Sequence, residues 1–241
     1  MISLKQLSFA YTDSPLLAAI DLEIQHGESI ALIGPNGSGK STLLRLLCGV
    51  LSAQSGAYQF AGETIDASSL RQPAFAKRFH QRVGFLFQNS DSQLFCPQVF
   101  EEVAFGPRQM GLPEPEVKQR VEDCLGLLGI AGLAAAVPYH LSEGEKRRVA
   151  LASVLALNPD VLLLDEPMNG LDPRTRRFLQ DFLASLNAAG KTLICATHEL
   201  DSTGGLYRRA IVFSGDHRII RDGPYADIVA DRAMLTEHNI I

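Results

Sequence analysis

Eight residues, Gly34-Pro35-Asn36-Gly37-Ser38-Gly39-Lys40-Ser41, constrain this 241-residue chain more than any others. They fit G-x-x-x-x-G-K-[ST], a loop suited to nucleotide phosphates. Glycines remove side-chain bulk, so successive backbone N–H groups can turn onto an anion, and the helix that follows adds its positive N-terminal end. Lys40 is then placed to reach the β/γ-phosphates and the Ser41 hydroxyl to bind Mg²⁺. The flanks agree: Ser29-Ile30-Ala31-Leu32-Ile33 reads as a short apolar strand, and Thr42-Leu43-Leu44-Arg45-Leu46-Leu47 reads as a helix. A strand–loop–helix unit of this kind predicts an α/β fold that binds a nucleoside triphosphate.

Length allows one large domain, or one domain with an inserted lobe, and a full core. The formal charge of −5, with no basic block, gives no electrostatic footprint for nucleic acid. Cys48, Cys96, Cys124 and Cys195 are scattered without metal-ligand spacing, so they read as core thiols in a reducing compartment. No signal-peptide pattern opens the chain, and no apolar run approaches the ~18 residues that span a bilayer. Any membrane role is therefore expected to come through a partner.

Residues 2–9 and 20–24 alternate apolar and polar, as half-buried strands do, and with residues 56–62 they predict a small antiparallel sheet. Residues 82–88 read as a buried strand. From 106 to about 156 the period is helical, with Val117, Val121, Cys124, Leu125 and Leu128 on one stripe that Gly126 and Gly129 interrupt. Val161-Leu162-Leu163-Leu164 and Thr192-Leu193-Ile194-Cys195-Ala196 are short apolar runs typical of a parallel sheet covered on both faces. Between them Phe178, Leu179, Phe182, Leu183 and Leu186 make an amphipathic helix closed by Gly190, and residues 211–223 read as a hairpin. The expected division is a nucleotide core with a β edge (about 1–88 and 158–241) and a helical lobe (about 89–157).

Asp165 and Glu166 follow a buried strand, at the edge where such sheets bind ligands. Asp165 would hold Mg²⁺, directly or through water, and Glu166 could orient and deprotonate the attacking water, help typically worth 10²–10⁴-fold, about 3–5 kcal/mol of barrier. Acids also follow strands in solvated turns, which is the plainer alternative. Upstream, Ser142 and Glu145 have capping-box spacing, so a helix should begin there. Its N-terminus, with Ser142 and the bare backbone of Gly144, can either be capped internally or bind a phosphate.

In this order the elements resemble the ATP-binding subunits of ABC transporters over nearly the whole chain. The resemblance implies a P-loop NTPase core of the RecA-like type, an N-terminal antiparallel β subdomain and an inserted α-helical subdomain. Residues 34–41 match Walker A, and 161–166 match Walker B. Leu141-Ser142-Glu143-Gly144-Glu145 is similar to the LSGGQ signature, which in this family meets the ATP held by a second subunit. Tyr11 matches the aromatic that stacks on adenine, Gln88 the Q-loop glutamine, His198 the switch histidine, and Asn169-Gly170-Leu171-Asp172 the D-loop.

The resemblance implies that Lys40, Gln88, Glu166 and His198 carry the catalysis. ATP would be held by Tyr11, Gly34, Pro35, Asn36, Gly37, Ser38, Gly39, Lys40, Ser41, Thr42, Ser142 and Gly144, and Mg²⁺ by Ser41, Gln88 and Asp165. Each residue also has an ordinary reading. Tyr11 is a strand-end aromatic, Gln88 a solvated strand end, His198 a structural histidine, and Asp172-Pro173 a helix N-cap with proline at the first position.

Glu143 and Glu145 depart from the signature, which usually has Gly and Gln there. Two carboxylates should weaken a phosphate contact unless they point outward or cap the helix. Residues 87–95 and 100–107 resemble the ATPases of energy-coupling-factor importers, which take up cobalt, nickel or vitamins such as biotin. That likeness implies a transmembrane coupling subunit, a substrate-binding membrane subunit and a second ATPase subunit, identical or different. It places the chain at the cytoplasmic face of the cell membrane as a peripheral protein. A soluble ABC ATPase without transport is the alternative.

Overall fold

The computed structural model describes residues 1–12, 15–200 and 205–241. β1 (Ile2–Ala10) and β2 (Pro15–Ile24) pair antiparallel, β3 (Ser29–Ile33) enters the core, and α1 (Lys40–Leu47) leaves the phosphate loop. β4 (Ser55–Phe60) and β5 (Glu63–Thr64) complete a four-stranded antiparallel sheet in the order β2-β1-β4-β5. The alternation in residues 2–9 becomes burial of Ile2 and Leu4, then of Leu7 and Phe9, the period slipping by one at a bulge near Gln6, whose φ is +49°.

α2 (Ala67–Leu70) and α3 (Pro73–Arg82) lead into β6 (Val83–Leu86). Then come α4 (Val99–Gln109), α5 (Glu114–Leu127) and α6 (Glu143–Leu155), which pack on one another. β7 (Val161–Asp165), α7 (Pro173–Ala188), β8 (Thr192–Ala196), β9 (Arg209–Phe213) and β10 (Ile219–Pro224) follow, and α8 (Tyr225–Ala230) and α9 (Arg232–Glu237) finish the chain. The second sheet runs β10-β9-β3-β8-β7-β6, parallel except for the β9–β10 hairpin.

Continuous apolar runs are needed because this sheet is covered on both sides. Ala31, Ile33, Leu162, Leu164, Leu193 and Cys195 enter one core with α4–α7. Their neighbours Ile30, Leu32, Val161, Leu163, Ile194 and Ala196 enter a second core with α1 and the four-stranded sheet. Each fully buried leucine or isoleucine contributes about 1.5–3 kcal/mol, so two faces of such residues fix strand register firmly.

Four details correct the sequence reading. The strand expected over 82–88 stops at Leu86, because the Phe87 N–H is taken by Gln93 Oε1 at 3.1 Å and the Phe87 and Gln88 carbonyls are taken by Arg147. Helix begins at Val99 rather than near 106, since Val99, Val103 and Ala104 already face the core. α5 runs through Gly126 to Leu127, and beyond its C-cap Leu128 the chain turns at Gly129, whose φ of +66° suits glycine. Cys96 is half-buried rather than a core thiol, while Cys48, Cys124 and Cys195 are buried, and burial pushes Cys48 and Cys124 up to about 11. The expected stripe on α5 is buried as read, and Gly190 lies just beyond α7.

Candidate active site

Parallel pairing puts the C-terminal ends of β3, β6, β7 and β8 on one edge of the sheet. The phosphate loop continues from β3, Gln88 from β6, Asp165 and Glu166 from β7, and His198 from β8. Residues up to 164 positions apart in the chain, Gly34 and His198, therefore converge through strand order.

Two glycines of the loop 34–39, Gly34 and Gly39, stand where no side chain would fit. Gly39, the N-cap of α1, has φ of +106°, and a Cβ there would sit 2.8 Å from the Leu16 carbonyl. A Cβ on Gly34 would meet the Phe213 carbonyl at 2.7 Å and Ser38 Oγ at 2.9 Å. α1 starts without a side-chain cap, leaving its first N–H groups for another acceptor. Ser38 Oγ is buried and has no hydrogen-bond partner in the chain. Lys40, also buried, folds back so that Nζ donates to the Gly34 and Pro35 carbonyls at 2.7 and 2.9 Å. Burial pulls its ammonium below the usual lysine range, opposed by the negative fields of Glu166 and Asp165. A phosphate would supply the missing acceptors, so these residues fit an anionic nucleotide.

Asp165 is the last residue of β7, and its position in the alternation sends it to the α1 side. There Ser41 Oγ donates to Asp165 Oδ1 at 2.8 Å. The carboxylate is 3 % exposed, and that burial raises its pKa; the Ser41 bond and the charges of Arg45, Lys40 and Arg147 work against the rise. A hydroxyl and a carboxylate side by side are hard oxygen donors of the kind Mg²⁺ selects, with phosphate and water left to complete its shell.

Glu166 departs from strand geometry at φ of +48°. Its N–H donates to the Ala196 carbonyl at 3.0 Å, and its Oε2 lies 2.8 Å from His198 Nδ1. The carboxylate is mostly enclosed while the imidazole is half exposed, at 13 % and 53 % of their side-chain surfaces. Beyond it, Asn169 N–H bonds the Glu166 carbonyl at 3.2 Å, and Asp172 caps α7 by accepting from the Arg174 and Thr175 N–H groups.

Other candidates lie apart from this cluster. Tyr11 is 55 % exposed, packed edge-on to Phe9, with its hydroxyl 3.5 Å from Arg45 Nη1. Gln88 is exposed, and its side chain makes no bond to the chain among the described residues. Ser142 and Glu145 form the capping box: Glu145 Oε2 accepts from the Ser142 N–H at 2.9 Å and hydroxyl at 2.6 Å, which holds its carboxyl below the usual range. Glu145 is thus spent on its own helix, and Glu143 is exposed. The sequence reading missed Arg147, a buried guanidinium on the Phe87 and Gln88 carbonyls. The available signal was its register, three and four residues before the buried Ala150 and Leu151.

Comparison with known proteins agrees with this geometry. The ABC transporter family profile matches residues 17–169. The nickel import ATP-binding protein LarO of Lactiplantibacillus plantarum is 50% identical over 228 residues, 95% of either chain. The energy-coupling factor transporter ATP-binding protein EcfA of Methanothermobacter thermautotrophicus is 40% identical over 236 residues, covering 98% of this chain and 74% of that one. Among solved structures, CbiO1 from Clostridium perfringens, part of the ABC transporter complex CbiONQ, matches with a TM-score of 0.84 and 34% identity over 99% of this chain and 94% of its own. The ATP-binding cassette MJ0796, a dimer in a post-hydrolysis state bound to ADP and Pi, matches with a TM-score of 0.83 and 26% identity over 93% and 99%. A phosphate loop and paired carboxylate ends on one sheet edge, in a chain alike over its whole length to such proteins, lead to one assignment: it belongs to the ABC transporter family, as an ATP-binding subunit that hydrolyses ATP.

Proposed function

We propose that this chain is the motor subunit of an energy-coupling-factor importer, driving uptake of a transition-metal ion such as nickel or cobalt, or of a vitamin such as biotin. Nickel has the most direct support, through the 50% identical nickel import relative. The single observation that carries the chemistry is the pairing of Ser41 with Asp165 and of Glu166 with His198 on one sheet edge.

In this reading Tyr11 stacks on adenine and the backbone of residues 34–39, with Lys40, Ser41 and Thr42, holds the triphosphate. Ser41, Asp165 and Gln88 would hold Mg²⁺, which when bound neutralises charge on the β- and γ-phosphates. Glu166 accepts a proton from water as that water attacks the γ-phosphorus and the bond to ADP breaks. His198 orients Glu166 and meets the γ-phosphate. Ser142 and Gly144 serve the ATP of a second subunit, identical or different, and the dimeric match supports that arrangement. Capping by Glu145 keeps its charge on the helix rather than on a phosphate, so the altered signature remains competent.

The lobe 89–157, set against the core 1–88 and 158–241, would face the membrane partners. An apolar cleft of about 350 Å³ opens between them, lined by Val50, His80, Phe85, Phe95, Phe105 and Met110. Phe95 and Phe105 are exposed and pack edge-to-face at 5.0 Å. A helix of a transmembrane coupling subunit would dock there, and a separate substrate-binding membrane subunit would select the cargo. Among the described residues no helix is long and apolar enough to cross a membrane, which suits a peripheral subunit at the cytoplasmic face.

Purifying the tagged protein from its own membranes tests this reading. A coupling subunit and a small substrate-binding membrane protein are expected to accompany it. Recovery of an active ATPase with no membrane subunit would overturn the importer assignment.

A further inference from the structure

The helix that begins with Ser142 and Gly144 carries a charge which the proposed chemistry leaves unused. Arg147 is 2 % exposed, with Nη1 donating to the Phe87 carbonyl at 2.7 Å and Nη2 to the Gln88 carbonyl at 2.6 Å. Its Nε is buried without a partner, and among the described residues no ion pair includes it. Burial pulls its pKa down against the fields of Glu143 and Asp165, and its planar fork presents two donors in fixed geometry, which here hold two successive carbonyls at once.

Further bonds join the same two segments. Lys146 Nζ meets Asp91 Oδ1 at 2.7 Å, and Gln93 Nε2 donates to the Ala150 carbonyl at 3.2 Å while its Oε1 accepts from Phe87 N–H. On the other side, pairing between β6 and β7 ends at Leu86 and Leu164. Segment 87–93 therefore leaves the sheet after Leu86 and is fastened to α6 instead.

We infer that Arg147 is a positioning residue: it ties the Gln88 main chain to α6 and so fixes where Gln88 stands relative to the sheet holding Lys40, Asp165 and Glu166. The inference rests on the role proposed above for Gln88 at the nucleotide.

Purified protein with Mg²⁺ and ATP provides the test. Arg147→Met keeps the bulk and removes the fork, and is expected to lower kcat at least about 10-fold with KM for ATP within about threefold. Arg147→Lys, retaining one donor arm, should recover part of that loss. Acting through Gln88, Arg147→Met should add less than about twofold to the defect of Gln88→Ala, whereas defects that multiply would overturn the coupling.

Hydrogen exchange gives a reading independent of turnover. Amides of 87–93 should exchange at least about 10-fold faster in Arg147→Met, with those of 34–42 unchanged. Unchanged exchange at 87–93 sinks the inference even if activity falls. Faster exchange together with a fully active Gln88→Ala would instead overturn the role given to Gln88 and leave the fastening intact. Should Arg147→Met fail to fold, Arg147→Lys carries both measurements with the same signs.

Discussion

His198 Nδ1 lies 2.8 Å from Glu166 Oε2, and the two residues extend from adjacent strands whose last pair is Asp165 opposite Ala196. Glu166 reaches that contact only by taking a left-handed backbone, a conformation that costs a side-chain-bearing residue on the order of 1–3 kcal/mol. The Glu166 N–H on the Ala196 carbonyl and the Asn169 N–H on the Glu166 carbonyl hold it there. Strain retained at one carboxylate, beside an imidazole, is expected where position decides chemistry.

Replacing that carboxylate tests its role as base. Glu166→Gln keeps the size and a hydrogen-bond acceptor for His198, so ATP affinity should stay within about twofold, while turnover falls by roughly 10²–10⁴. Single-turnover release of phosphate measures this directly. Turnover at the wild-type rate would refute proton transfer to Glu166.

Lys40→Ala should weaken ATP binding by about 1.5–3 kcal/mol, roughly 10- to 150-fold in Kd, the worth of a charge-assisted bond. Titration calorimetry in the presence of Mg²⁺ reads it. An unchanged Kd would place the nucleotide elsewhere.

Asp165 predicts a pH effect of defined sign. Its folded pKa lies above the unfolded value because burial penalises the charge. The folded state thus holds its proton more tightly than the unfolded one, and its contribution to stability is present at low pH and lost as pH rises through the folded pKa. At neutral pH without nucleotide, Asp165→Asn should therefore raise Tm by about 2–4 °C, about 1 kcal/mol, while abolishing the dependence of ATP binding on Mg²⁺. A lower Tm for Asp165→Asn would contradict this account.

Glu145 has the opposite sign. Bonds from Ser142 depress its pKa, so its stabilisation is present above the unfolded value and lost as pH falls through the folded one. Glu145→Ala should cost about 0.5–1 kcal/mol by thermal melting at neutral pH, and Glu145→Gln, which can still cap, much less. Equal losses would mean that the capping box does not hold α6 in solution.

Phe95→Ser with Phe105→Ser should abolish recovery of the membrane subunits yet leave the isolated subunit's ATPase rate within about twofold, since neither ring touches the cluster at the sheet edge. Retained subunits would move the docking surface elsewhere.

Much of this is legible in the sequence. The phosphate loop needs rare residue types because its backbone must approach an anion, and β3, β7 and β8 show as unbroken apolar runs because two cores enclose them. Caps at Ser142 and Asp172 follow from local hydrogen bonding that short spacing encodes. α3 escaped notice because Phe79 is its only buried residue amid several cations. α8 and α9 are too short, at six residues each, to show a period. The start of α4 lies seven residues ahead of 106, where the helical period is read to begin, because Gly106 and Pro107 sit inside the helix rather than at its start. Arg147 stood between Lys146 and Arg148 and so resembled one more solvated charge. Long-range pairings such as Ser41 with Asp165 depend on strand order, which no local pattern specifies.

That strand order has a consequence for the chain during its synthesis. Ser41 lies in the first turn of α1, just after β3, and Asp165 ends β7, strands separated in the sheet by β8, so the two residues meet once β8 has threaded between β3 and β7. A nascent polypeptide carrying the whole phosphate loop but still lacking residue 196 has no scaffold on which to join them. Competence for nucleotide thus arrives late and all at once, and a ribosome-bound or truncated fragment is not expected to consume ATP before the molecule is whole.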